Sequence, residues 1–211
     1  MLALMLVVSP IYAESSCTLR VFVEGSYPEL TITAESGEEH PVRLYTGNWS
    51  TPVSIKGELP WGLAGSDGKG KINWGRLEEL PSGGESYLLI IVPERAGHAR
   101  RALFPVSKSI QPGLILINLS GFEITGEYDD YAFSLGKGGL HQWPALKRRA
   151  SIVARTEDGR IILPETWVDT REEPMALLLL PPFMRNSAMA QSRMLRFNEV
   201  SADEPGDIAP P

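Results

Sequence analysis

The sequence has few of the residues that build most catalytic and metal-binding sites. It contains one cysteine, Cys17, which excludes an intramolecular disulfide. Its three histidines lie too far apart in sequence for a local metal-binding pair, and there is no Gly-x-Ser-x-Gly nucleophile motif. We therefore predict no metal and no cofactor. A non-catalytic protein is favoured, with a hydrolase of dispersed catalytic residues as an alternative.

Concentrated positive charge and long apolar runs are also scarce. The net charge is −6, and the longest basic run is Lys147-Arg148-Arg149. Because nucleic-acid binding needs a concentrated basic face, this function class is excluded. No apolar stretch reaches the roughly 20 residues that a membrane-spanning helix needs. We therefore expect no transmembrane span in the mature chain.

The beginning of the sequence predicts export. Residues 1–8 are apolar, and the short segment ending at Ala13 precedes an abruptly polar Glu14. This pattern is typical of a secretory signal peptide, residues 1–13, cleaved after Ala13. A large exported protein without disulfides is typical of bacterial envelopes, so we expect the periplasm or the cell surface. Cys17 is predicted to be inert; a lipid anchor or an intermolecular bridge at Cys17 is the alternative.

Alternating apolar and polar residues, together with scattered glycines and prolines, predict an all-β chain. Glycine and proline number 20 and 17 and are scattered between short segments. Leu30, Ile32 and Ala34 alternate with polar residues, as in a half-buried strand. Asp158-Gly159 between two strand-like segments indicates a hairpin. Helix is expected only as a turn or two, in residues 74–80 and 186–194.

Three continuous apolar runs indicate strands that are buried on both faces. They are residues 88–92, 114–117 and 177–180. The first and last run end near Pro93 and Pro181, which lie 88 residues apart and suggest an internal repeat. We predict two tandem immunoglobulin-like β-sandwich halves with very little helix. Their expected ranges are 18–105 and 106–199, followed by a disordered tail, residues 200–211.

Residues 65–72 partly match the sequence patterns of two ligand-binding loops, a phosphate-binding loop and a calcium loop. As a phosphate-binding loop, the segment has Ile72 where Ser or Thr normally holds magnesium. As a calcium loop, it places Arg76 where a bidentate glutamate belongs. We therefore interpret this segment as the tip of a β-hairpin.

Two resemblances suggest what kind of protein this is. The layout resembles uncharacterised exported bacterial proteins with two β halves, each closing on a Leu-rich strand and a proline. Near the C-terminus, the sequence is similar to the first domain of periplasmic pilus-assembly chaperones. The similar segments are Thr166-Trp167-Val168-Asp169, Leu180-Pro181-Pro182-Phe183-Met184-Arg185 and Gln191-Ser192-Arg193-Met194-Leu195-Arg196. This second resemblance implies immunoglobulin-like domains that donate a strand to a partner subunit. The subunit-anchoring Arg and Lys of that family have no matching positions here.

Tryptophans and the C-terminal segment supply the candidate binding residues. Trp49, Trp61 and Trp143 lie close to glycine or proline in loop-like contexts, where flat rings can stack on sugars. They form the predicted glycan-binding face, whereas Trp167 is predicted to be core. The alternative is that such loop tryptophans plug the open end of a sandwich and are buried. Phe183 and Leu195 are the candidate protein-interaction residues. The favoured function is protein interaction or assembly in the bacterial envelope, and the partner is an envelope protein or, as the alternative, a cell-surface glycan.

Overall fold

The structure is a computed structural model, and it describes residues 16–67, 70–94, 98–146, 149–182 and 189–197. The predicted signal peptide and the predicted disordered tail lie outside the described residues. Every regular element within these ranges is a β-strand, which confirms the all-β prediction. The strands are β1 Ser16–Val23, β2 Glu29–Thr33, β3 Glu39–Arg43, β4 Val53–Lys56, β5 Trp61–Ser66, β6 Lys71–Leu77, β7 Ser86–Pro93, β8 Ala99–Val106, β9 Gly113–Asn118, β10 Ile124–Tyr128, β11 Tyr131–Leu135, β12 Gly139–Pro144, β13 Ala150–Thr156, β14 Ile161–Val168, β15 Pro174–Leu180 and β16 Gln191–Arg196.

The strands form two β-sandwich halves of the same topology. In the first half, the sheet β4-β1-β7-β8 packs on the sheet β3-β2-β5-β6. In the second half, β12-β9-β15-β16 packs on β11-β10-β13-β14. Each strand of the second half is thus equivalent to the strand eight positions earlier in the chain. The central pairs β1–β7 and β9–β15 are parallel. Two tandem β-sandwich halves are therefore confirmed.

A third hydrophobic core joins the two halves. It contains Phe22, Leu88 and Ile90 from the inner sheet of the first half. Ile117 and Leu178 face them from the inner sheet of the second half. Each inner sheet thus has its own outer sheet on one side and the other half on the opposite side. This arrangement explains the continuous apolar runs, which are buried on both faces as predicted, apart from the partly buried Val92.

The 88-residue spacing in the sequence corresponds to a structural equivalence. Ile90 and Leu178 lie in the core between the halves, whereas their neighbours Leu89 and Leu177 lie in the cores within each half. Because successive strand residues face opposite sides, this shared alternation aligns β7 with β15 residue by residue. The two inner sheets then pack as equivalent surfaces, in the manner of a symmetric dimer joined into one chain.

Local predictions about turns and helices had mixed outcomes. β5 and β6 form the predicted hairpin around residues 65–72, and β13 and β14 form the one at Asp158-Gly159. Gly159 has a φ of 83°, a left-handed conformation that glycine adopts without strain. The helix predictions are wrong where the structure describes them, because Trp74 belongs to β6 and residues 191–194 belong to β16. Residues 186–188 lie outside the described ranges.

An ion pair also connects the halves at the edge of the shared core. The Arg193 guanidinium on β16 donates from Nη2 to Glu24 Oε1 at 2.6 Å and from Nε to the same oxygen at 3.0 Å. Glu24 directly follows β1, so the contact joins residues of opposite halves. A two-donor arginine contact of this kind fixes orientation as well as distance. The pair therefore specifies how the two inner sheets align.

Candidate functional site

The three tryptophans of the predicted glycan-binding face are buried. Trp49, Trp61 and Trp143 are 1%, 0% and 5% exposed. They lie in three different hydrophobic cores, so no common surface contains them. Each ring covers apolar side chains inside the protein, as with Trp49, which stacks on Phe197 at 5.3 Å between ring centroids. A buried ring has no free face for a sugar, and the predicted glycan face is therefore wrong for these residues.

Trp167 shows the opposite error. It was predicted to be core, yet 53% of it is exposed. Val168 points into the core of the second half and is buried, so its strand neighbour Trp167 points to solvent. The Arg149 guanidinium lies 5.9 Å from the centroid of the Trp167 ring, within cation–π range. Among the tryptophans that the structure describes, Trp167 is exposed and the others are buried.

Exposed large apolar side chains concentrate on one edge strand. Within the described residues, they are Tyr131, Ile161, Trp167 and Met189. Ile161 and Trp167 belong to β14, which lies at the edge of the outer sheet of the second half. Met189 lies beside β14, because the next residue, Ala190, donates a backbone hydrogen bond to the Ile162 carbonyl at 3.1 Å. We refer to Ile161, Trp167 and Met189 as the β14 edge surface.

Pro164 is a signal in the sequence that β14 lies at an edge of its sheet. Pro164 lies inside β14, where the register between β13 and β14 shifts. Proline donates no ladder hydrogen bond, so a proline within a strand indicates an edge strand or a bulge. Alternation counted from the buried Val168 then predicts an outward-facing Trp167.

The two predicted protein-interaction residues have different outcomes. Leu195 on β16 is 0% exposed and lies in the core between the halves. It therefore holds the halves together and offers no surface to a partner, so this prediction is wrong. Phe183 lies outside the described residues, in the connection between β15 and β16 that leads to Met189.

The end of β14 carries a local arrangement of charges. Arg171 donates to the Asp169 carboxylate at 2.5 and 2.8 Å, and these hydrogen bonds lower the pKa of Asp169 to about 2. The Arg149 charge also lowers this pKa. Asp169 is therefore a fixed anion at neutral pH, and its charge is shared with Arg171. Such a carboxylate orients neighbouring groups and is a poor proton donor or acceptor near pH 7.

A polar groove of about 520 Å³ lies at one end of the second half. Its carboxylate Asp158 accepts hydrogen bonds from Thr156 and Arg160, and these lower the pKa of Asp158. Arg160 in turn lies 5.7 Å from the centroid of the Phe122 ring, another wall of the groove. These groups satisfy one another, and the lowered pKa makes Asp158 a poor proton donor or acceptor near neutral pH.

The histidines occupy separate structural positions. His40 on β3 contacts the Lys56 carbonyl at 3.2 Å, and His141 on β12 lies 4.3 Å from the Trp143 ring. His98 is exposed next to β8. Across the described ranges, no cluster of three or more His, Cys, Asp or Glu side chains has metal-binding geometry. No helix in the same ranges is long and apolar enough to cross a membrane.

Cys17 lies inside the first half. It is 5% exposed on β1, and burial raises the pKa of its thiol to about 11. Because the thiolate is the reactive form, this thiol is chemically protected in the folded protein. An acyl chain or an intermolecular disulfide at Cys17 would require β1 to leave the sheet.

We expect Cys17 to react with a thiol reagent only after unfolding. In native buffer at pH 7.5, the disulfide reagent DTNB should label less than a tenth of the protein over an hour. In denaturant it should label one thiol per chain within minutes, since unfolding removes the desolvation that raises the pKa. Rapid native labelling would show that β1 is not stably paired with β4 and β7.

The asparagines of the two Asn-x-Ser glycosylation sequons lie in contrasting places. Asn118, at the end of β9, is 0% exposed. Its amide nitrogen donates to the carbonyls of Phe122, Leu135 and Gly136, at 2.8, 3.3 and 3.0 Å. Its side-chain oxygen accepts from the Ser120 hydroxyl at 2.6 Å. Asn118 is therefore an internal brace for two loops and is inaccessible to modification in the folded state. Asn48 is partly exposed.

No model of a known protein family matches the chain, and no curated protein matches its sequence significantly.

Proposed function

We propose that this protein is an exported, non-catalytic component of the bacterial envelope that binds an extended segment of a partner protein along β14. The observation that carries the proposal is the concentration of exposed large apolar side chains on the β14 edge surface. Export rests on the sequence pattern of residues 1–13. A non-catalytic role is supported by the described titratable groups, whose resolved pKa shifts all lead away from neutrality.

Edge strands are the usual places where β-proteins accept another chain. An edge carries unpaired backbone groups, and partner strands add to it with side chains in neighbouring pockets. Several other edge strands of this protein contain a proline, such as Pro41 in β3 and Pro105 in β8, or are as short as β4. β14 also contains Pro164, and its Ile162 carbonyl already accepts a hydrogen bond from Ala190, but it is eight residues long and keeps residues 165–168 beyond that proline.

Trp167 is suited to anchor such a partner. Tryptophan and arginine dominate the energetics of protein interfaces, and here Arg149 lies against the exposed Trp167 ring. Ile161 lies near the opposite end of the same strand, about 20 Å away at the usual rise per residue. Because Ala190 already lies at the edge beside Ile162, a segment of about six extended residues would contact both side chains by continuing over the solvent-facing side of β14. A partner protein thus fits this elongated surface better than a compact ligand does.

We expect Trp167→Ala to weaken partner capture at least 30-fold, because loss of an anchoring tryptophan costs about 2 kcal/mol or more. The matched control is Tyr131→Ala. Tyr131 is also 53% exposed but lies on β11, the opposite edge of the same sheet. For the measurement, the wild-type and variant proteins are crosslinked in cells and each is then purified. The envelope proteins recovered with each are quantified. Equal recovery by both variants would refute the role of β14.

A further inference from the structure

A cavity of about 190 Å³ lies between the two halves, on one side of their shared core. Val92 of β7 and Ala102 of β8 form its wall on the first half. Leu119, which follows β9, and Pro181, which follows β15, form the wall on the second half. Its lining is therefore mainly apolar, with two arginines of β8, Arg100 and Arg101, as the charged residues.

The internal repeat shows why space remains at this place. Glu24 follows β1 and donates its backbone N–H to the Ile91 carbonyl. Leu119 follows β9 and donates its backbone N–H to the Leu179 carbonyl, the equivalent position of the repeat. Glu24 and Leu119 thus occupy matching sites in the two halves.

The residues on the facing strands match in the same way. Ala102 pairs with Ile90 on β7, and Arg193 pairs with Leu178 on β15. Since Ile90 and Leu178 are equivalent, Ala102 and Arg193 are equivalent too. One side of the interface therefore has the Glu24–Arg193 ion pair, and the related side has Leu119 and Ala102. The shorter alanine fills less of the gap than the arginine does, which leaves the cavity.

The size and lining of the cavity define the class of molecule that fits. An apolar cavity of about 150 Å³ holds a benzene ring, so the 190 Å³ present here suffices for one ring with a small substituent. Small-molecule sites occur preferentially at domain interfaces and have mostly apolar walls. A Cβ atom at Gly121 or Gly138, two further wall residues, would meet no atom within 4 Å, so these positions leave the entrance open.

The charge at the entrance favours a neutral aromatic ring. Arg100 shares the strand face of Ala102, and its guanidinium is paired with the Glu94 carboxylate. The Arg101 guanidinium is bound on the other side of the sheet, where it donates to the Arg76 carbonyl at 2.8 Å. An anion would have to compete with Glu94 for the Arg100 donors, whereas a neutral ring can lie on the face of the guanidinium and leave that ion pair intact. The chain uses this contact elsewhere, as at Arg149 and Trp167.

We propose that the cavity between Ala102 and Leu119 is a binding site for a small neutral molecule that carries one aromatic ring. The site is independent of the β14 edge surface, which lies on the outer sheet of the second half. Failure of one proposal therefore leaves the other unaffected.

The test is a nitrogen-15 NMR titration of the folded protein with phenol and, as the non-aromatic match, cyclohexanol. Phenol should shift the amide resonances of Val92, Ala102 and Leu119 at a single site, with at least fivefold tighter binding than cyclohexanol. The double variant Ala102→Arg with Leu119→Glu copies the ion pair of the other side and fills the cavity. It should weaken phenol binding at least tenfold. Ala102→Leu is the second filling variant, should the charged pair prevent folding.

A reciprocal variant makes the test more specific. Glu24→Leu with Arg193→Ala opens a matching gap on the side that now has the ion pair, where Gln191 stands in the place of Arg100. It should raise the number of bound phenol molecules from one to two, with the second bound more weakly because no arginine lies beside it. The proposal is overturned if phenol shifts no resonance near Ala102 and Leu119, or if the filling variants bind phenol as well as the wild type does. Equal affinity for phenol and cyclohexanol would overturn the aromatic preference.

Discussion

Replacing Asn118 with alanine is expected to lower the free energy of unfolding by about 3–5 kcal/mol, because a buried group left without its hydrogen-bond partner costs about 1–3 kcal/mol. The substitution removes the donor for three carbonyls at once, those of Phe122, Leu135 and Gly136. It also removes the acceptor for the Ser120 hydroxyl. The loops before β10 and before β12 would both lose the bond that positions them.

Two further variants make this result specific to hydrogen bonding. Asn118→Asp nearly keeps the shape but replaces the donor with a carboxylate that faces three carbonyl oxygens, so it should destabilise at least as much as alanine. Asn48→Ala, at the partly exposed sequon, should change stability by less than about 0.5 kcal/mol. Chemical denaturation followed by far-ultraviolet circular dichroism measures all three. An Asn118→Ala variant within about 1 kcal/mol of wild type would contradict the bracing role.

Replacing Trp49 with alanine is expected to cost about 3–5 kcal/mol, the usual range for removing a large aromatic side chain from a core. Trp49 stacks on Phe197 from the second half and contacts Phe22 edge-on at 6.0 Å between ring centroids. The substitution thus leaves a cavity in the core that joins the halves. Because the halves share a core, we expect the wild type to unfold in one cooperative transition and the variant to lose this cooperativity.

Trp167→Ala serves as the control for Trp49→Ala, because it removes the same side chain from an exposed site. It should change the free energy of unfolding by less than about 1 kcal/mol. Calorimetry of both variants measures the midpoint and shows whether one or two transitions are present. If Trp49→Ala unfolds with the wild-type midpoint in one step, the core between the halves contributes little to stability.

The fold was predictable from the sequence because burial leaves a clear pattern in strands. The runs at residues 88–92 and 177–180 are apolar at every position, which requires cover on both faces of a strand. The sequence does not reveal which part of the protein packs on the second face of these strands, because that depends on how the halves pack. The same packing buries Leu195, which local context had suggested as a surface residue.

The site was less predictable because the environment of a tryptophan depends on the direction of its side chain. Glycine and proline neighbours indicated loops for Trp61 and Trp143, yet Trp61 begins β5 and Trp143 lies in β12, and both point inward. Trp167 lies in an equally regular strand and points outward. One step in strand alternation decides between core and surface, and Pro164 was the local sign of the edge.

Site-specific photo-crosslinking in cells tests most directly the central claim that β14 binds a partner. A photoreactive amino acid is placed at position 161, 167 or 131 of the full-length protein, and crosslinked products are separated and identified. We predict one shared protein partner at positions 161 and 167 and no such product at position 131. Crosslinks of equal yield at all three positions, or none at positions 161 and 167, would contradict the proposed function.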